Sequence, residues 1–162
     1  VTEFPLEIEE VGDTVVVKRE MFGIKSSPLF TRAGGFTERV DHRQHIIFTP
    51  PCYVSINTTV KSAKASSENK IADIRILNAL TPETSKTTNY FWSLVRCFAL
   101  DDEEMEIFLH EANTFAFSED KVIIEQQQKM WDAVPDAKPV SFPHDKGIIA
   151  SNRLMERLIA AE

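Results

Sequence analysis

Only 2 cysteines and 5 glycines occur in 162 residues, and no apolar run approaches the ~20 residues that a membrane-spanning helix needs. So few cysteines exclude a small disulfide-built scaffold. Cys52 and Cys97 each sit among apolar neighbours and read as buried free thiols of a reducing cytoplasm, ahead of a disulfide or a metal pair. No glycine-rich phosphate loop occurs, which removes the common nucleotide-binding motifs. Basic charge is also short. With 18 Lys and Arg against 25 Asp and Glu, the net charge of -7 does not fit a nucleic-acid surface. No signal peptide is legible at the N-terminus, so a soluble cytoplasmic protein is expected. The chain starts at Val1 with no Met, as a processed protein or a piece of a longer one would.

What remains is ordinary for one globular domain: 43% hydrophobic and 27% charged residues. The first half is strand-like. "EIEEVGDTVVVKREMF" predicts a hairpin, with Gly12-Asp13 as its turn and β-branched residues after it. Pro28, Gly34 and Gly35 punctuate what reads as a polar loop ending in "TERVDHR". "QHIIFTPPCYVSINTTVK" predicts two strands broken at Pro50-Pro51. "SAKASSENK", with no apolar anchor, reads as a mobile loop. In "IADIRILNAL", Ile71, Asp73, Arg75 and Leu77 take one face, and Ala72, Ile74, Ile76 and Asn78 the other. "TTNYFWSLVRCFAL" completes five or six strands with hairpin-length connections, hence an antiparallel sheet.

The second half is helical. Asp101 reads as an N-cap with Glu104 three residues on. Helical spacing then runs through Met105, Leu109, Ala112, Ala116, Ile123 and Met130 to Trp131. Three prolines in "VPDAKPVSFP" end it, and "DKGIIASNRLMERLIAAE" predicts a short amphipathic terminal helix. Strands followed by helices indicate α+β. A long helix laid across the sheet would bury both apolar faces and leave a cavity between them.

Within the long helix, Glu119 and Asp120 interrupt an apolar run. On a helical wheel Glu119 falls near the centre of the apolar stripe and Asp120 on its flank, so an inward carboxylate is expected. Pairing with Lys121, Arg75 or Arg96, or a bend of the helix that exposes the carboxylate, is its structural reading; a metal ligand or catalytic acid is its functional one. His42 and His45 stand three apart, the wrong parity for one strand face, and read as loop and strand-start residues rather than a metal pair. His110 and His144 have no nucleophile beside them, so a triad is not supported. Asn78 is a polar residue at an inward strand position, either a satisfied amide or a group that meets a ligand.

"NALTPETSKTTNYFWSLVRCF", Asn78 to Phe98, resembles the "LTPET…YFW…RNF" passage of Rieske non-haem iron oxygenases of the vanillate O-demethylase and dicamba monooxygenase type. "FSEDKVIIEQQQ" and "SNRLMERLIAAE" resemble the segments that follow there, in the same order. The resemblance implies a helix-grip (START-like) fold, a curved antiparallel sheet around a long C-terminal helix. It implies a mononuclear Fe(II) held by two histidines and one carboxylate, with the carboxylate at Asp120 rather than Glu119. It places a polar substrate contact at Asn78, where family members often have His, and pocket walls at Ile56, Val60, Phe91 and Phe115.

The family's Asp-x-x-His-x-x-x-x-His segment is absent, as are the Cys-x-His and Cys-x-x-His pairs that hold the Rieske 2Fe-2S cluster. The resemblance therefore implies that residues 1–162 are the C-terminal part of an oxygenase catalytic domain, without the Rieske domain and the iron-histidine segment. The intact protein would hydroxylate or O-demethylate an aromatic substrate with electrons from a reductase or ferredoxin, as a homotrimer, with no nucleic-acid or membrane partner. An alternative is a stand-alone helix-grip domain that binds a small molecule without iron. A weaker one uses the acidic 101–106 surface to dock a protein.

Overall fold

The computed structural model describes residues 4–64, 70–136 and 140–162. Six strands form one antiparallel sheet in chain order: β1 (Glu7–Val11), β2 (Thr14–Lys25), β3 (Arg39–Thr49), β4 (Tyr53–Ser62), β5 (Ile71–Pro82) and β6 (Thr88–Arg96). The β1–β2 hairpin has the expected two-residue turn, with Val11 opposite Thr14 and Gly12 at a φ of 58°. Pro50-Pro51 lies in the β3–β4 turn, since two residues without N–H donors cannot continue a ladder. Most of the "SAKASSENK" loop, 65–69, lies outside the described residues.

The segment read as a polar loop contains a helix, α1 (Pro28–Gly34). Its signals are local: Ser27 Oγ accepts from the Phe30 N–H at 3.4 Å, Pro28 opens the helix, and Gly35 ends it at a φ of 63°. Seven residues are too few to show a helical period, so only the caps mark it.

Register settles which residues share a face. Val15, Val17, Arg19 and Met21 of β2 align with Phe48, Ile46, Gln44 and His42 of β3. These continue into Val54, Ile56, Thr58 and Val60 of β4, and then Asn78, Ile76, Ile74 and Ala72 of β5. This is the inner face: Val15, Val60, Ala72 and Ile74 are buried on it. The Val and Ile side chains each contribute ~1.5–3 kcal/mol relative to exposure. Phe30 of α1 is buried as well and packs edge-on against His42, with ring centroids 5.3 Å apart.

The chain divides into two compact units, Val1–Leu100 with Pro143–Glu162, and Asp101–Phe142. In the first, helix α3 (Lys146–Ile159) lies on β2 and β1 and buries Leu154. A Cβ built on Gly147 would come within 2.7 Å of Val17 Cγ2, so the approach of α3 to β2 depends on glycine. The second holds α2 (Glu103–Ala133), 31 residues long. Its cap is Asp102 rather than Asp101: the Met105 N–H donates to Asp102 Oδ1 at 2.9 Å. Either residue satisfies the rule that a short acidic side chain precedes the first turn, and backbone geometry selects the second.

Candidate functional site

The sheet's inner face carries a small set of polar side chains among aliphatic ones, and Asn78 is the most buried, 4% exposed. Its Nδ2 donates to the Val54 carbonyl on the facing strand at 3.0 Å, and its Oδ1 accepts from the Tyr90 hydroxyl at 2.8 Å. A carboxamide has two N–H donors, so one is left over once the Val54 bond is made. Ile56 and Val60 lie on this same face, as the alternation requires.

Phe91 does not. It pairs with Ala79 on the opposite side of the sheet and is 62% exposed, whereas Trp92 pairs with Asn78. The aromatic at the Asn78 position is thus Trp92. In the run Tyr90-Phe91-Trp92 all three residues are aromatic, so only the register tells the faces apart.

On α2, Glu119, Asp120 and Phe115 are all exposed. The buried residues of this helix are Met105 and Leu109 in its first turns. Past Phe117 the apolar residues fall consecutively (Val122, Ile123, Ile124), and three neighbours at about 100° steps span too wide an arc to define one face. No hydrogen bond or ion pair joins Asp120 among the described residues. Lys121 pairs with Glu125 at 3.5 Å and Arg75 with Asp73 at 2.7 Å, so neither serves as its counter-ion. The exposed Asp120 carboxylate, when ionised, can only accept hydrogen bonds.

His42 and His45 lie inside β3, not in a loop, because the strand begins earlier than its apolar residues suggest. Their parity places His42 on the inner face opposite Val60 and His45 on the outer face opposite Asn57. Burial holds the His42 imidazole below its ordinary pKa, and its Nε2 is buried without a partner. His45 Nε2 stands 3.7 Å from Glu20 Oε1. Among the described residues no group of three His, Cys, Asp or Glu could hold a metal. As to the donor set, the chain fits one ligand of a two-histidine, one-carboxylate centre and not the other two.

A cavity of 430 Å³ opens in the sheet–α3 unit. Its sheet wall is Val15, Val17 and Arg19 of β2, Gln44, Ile46 and Phe48 of β3, and Val54. Opposite stand His144, Gly147, Ile148 and Ser151. The volume lies within the ~300–1,000 Å³ of small-molecule sites, and the mixture of apolar walls with few polar groups is typical of them. Arg19 was not singled out from the sequence. Its signal is parity alone: in "VVVKRE" it is the charged residue two positions after Val17, hence on the buried side.

The chain matches the vanillate O-demethylase oxygenase C-terminal domain over residues 1–161. A vanillate O-demethylase oxygenase subunit from a Pseudomonas species is 32% identical over 171 residues, covering 100% of this chain and 52% of that protein. A toluene-4-sulfonate monooxygenase system iron-sulfur subunit from Comamonas testosteroni is 29% identical, over 78% of this chain and 38% of that one. The crystal structure of dicamba monooxygenase bound to 3,6-dichlorosalicylic acid superposes with a TM-score of 0.85 at 23% identity, covering 99% of this chain and 49% of that one. The likeness establishes the α+β fold with a six-stranded antiparallel sheet and a long helix. The chain spans about half the length of the curated relatives it matches. It belongs to the family of vanillate O-demethylase oxygenase C-terminal domains.

Proposed function

We propose that residues 1–162 are the C-terminal part of the catalytic domain of a Rieske-type oxygenase that hydroxylates or O-demethylates an aromatic substrate. The observation that carries this reading is the family match over residues 1–161. The names of the relatives support the substrate class and the iron–sulfur component. In this reading Asp120 supplies the carboxylate of a mononuclear Fe(II) site, and the two histidine ligands and the 2Fe-2S cluster belong to residues outside this chain. Bound iron would activate dioxygen. This chain's own residues would orient the substrate and keep water away from it: Asn78 through its remaining N–H, Ile56 and Val60 as apolar wall. Phe115 stays a candidate wall residue on α2, where it supports the reading only by sequence position. Phe91 drops out of the wall, since it lies on the other side of the sheet. Electrons would come from a reductase or ferredoxin, and the assembly would be a cytoplasmic homotrimer. Among the described residues no helix is long and apolar enough to cross a membrane.

The test is turnover by the full-length protein with an electron donor. Vanillate, other aromatic carboxylates and aromatic sulfonates are offered in turn, with oxygen uptake and product followed together. Oxygen uptake matched by hydroxylated or demethylated product supports the reading; no donor-dependent product from any of these classes contradicts it.

A further inference from the structure

Arg19 occupies a costly position. It sits on the inner face between Val17 and Met21, across from Gln44, and its Nε is buried with no hydrogen-bond partner. No ion pair or hydrogen bond joins its guanidinium to any described residue, although Arg43, Arg75 and Arg157 all have carboxylate partners. Arginine cannot shed its proton, and an anion in the adjoining cavity would offset the partial desolvation of this guanidinium.

The sheet does not provide one. Along the inner face from Val15 to Met21, and across β3, β4, β5 and β6, the register places no Asp or Glu; its other cation is Arg96. On β1 the acid aligned with this face is Glu10, opposite Val15, and it faces Arg157 of α3 at 3.3 Å. Beside Arg19 lies the 430 Å³ cavity, apolar on most of its sheet wall, with Gln44 as a second polar group next to the guanidinium.

The geometry points to this cavity as a binding site for a small organic anion, a carboxylate or sulfonate on a one-ring apolar body, with Arg19 as the residue that recognises the charge. The planar guanidinium offers paired N–H donors matched to two oxygens of such a group. Val17, Ile46 and Phe48 would hold the apolar body. The site lies wholly in the sheet–α3 unit and requires neither Asp120 nor iron, so it goes beyond the oxygenase reading and does not stand or fall with it.

The experiment is calorimetric titration of the full-length protein with benzoate, benzenesulfonate and the neutral analogue benzyl alcohol. Both anions should bind more tightly than the alcohol. Arg19→Met should weaken benzoate about 10- to 100-fold, as expected for losing hydrogen bonds to a charged group, and leave the alcohol nearly unchanged. Arg19→Lys, which keeps the charge, should retain part of the preference. Ile148 is a second handle, because it lines the cavity from α3 and is 63% exposed, so a larger side chain there is compatible with folding. Ile148→Trp should abolish the component of benzoate binding that Arg19→Met weakens, and leave any binding at the iron site in place. Equal affinity for benzoate and benzyl alcohol, or benzoate isotherms identical in the wild type, Arg19→Met and Ile148→Trp, overturn the assignment. Asp120→Ala separates the two readings: it should remove iron and leave benzoate binding in place, whereas loss of the benzoate preference in that variant contradicts the cavity site.

Discussion

The Tyr90 hydroxyl donates to Asn78 Oδ1 at 2.8 Å, from β6 to the strand beside it, while the same amide donates onward to Val54 on β4. One buried side chain thus ties three neighbouring strands together. Removing it deletes both hydrogen bonds, each worth ~0.5–1.5 kcal/mol net. Asn78→Ala should lower the thermal midpoint, Tyr90→Phe should lower it less, and the double variant should fall short of the sum. Strict additivity in a double-mutant cycle would dismiss the linkage. If Asn78 also meets substrate, Asn78→Ala in the full-length protein raises KM, an effect that Tyr90→Phe does not reproduce.

His42 makes stability depend on pH in one direction. Burial lowers its folded pKa below the ordinary value of 6.5. Above that value the ring is neutral whether folded or not, and it contributes nothing. As pH falls below it the unfolded chain takes up the proton first, so folding is progressively disfavoured until the folded ring also protonates. The wild-type midpoint should therefore drop more between pH 7 and pH 5.5 than that of His42→Leu. Parallel curves for the two proteins would refute this.

Gly147 sets how closely α3 meets β2. Gly147→Ala gains up to ~1 kcal/mol in helix propensity, but the new Cβ lies 2.7 Å from Val17 Cγ2, and overpacking costs ~1–3 kcal/mol. The expected net effect is a lower thermal midpoint. On a Val17→Ala background the clash is gone, so Gly147→Ala should be neutral or stabilising there. A stabilising effect in the wild-type background would show that α3 is not held by that contact.

How much of this was legible beforehand depended on the length of each pattern. Alternation over ten residues fixed the faces of β5, including the burial of Asn78. The long helix was legible from its cap and its spacing to within two residues. The seven-residue α1 shows no period, and its Ser-Pro start and Gly end were outweighed by loop-like composition. Phe91 and Trp92 differ by one position, and parity within a three-aromatic run comes only from register with β5. The wheel ranks Glu119 over Asp120 only if one stripe runs the length of α2, and the consecutive apolar residues Val122, Ile123 and Ile124 blur that stripe. Arg19 falls within the predicted hairpin, where its neighbours two residues either side, Val17 and Met21, mark it as inward.

If Asp120 holds iron, metal content reports it. The full-length protein and its Asp120→Ala and Glu119→Ala variants are assayed for mononuclear iron beside the 2Fe-2S absorption spectrum. Asp120→Ala should lose the mononuclear iron and keep the cluster spectrum, while Glu119→Ala keeps both. Stoichiometric mononuclear iron in Asp120→Ala would contradict that role.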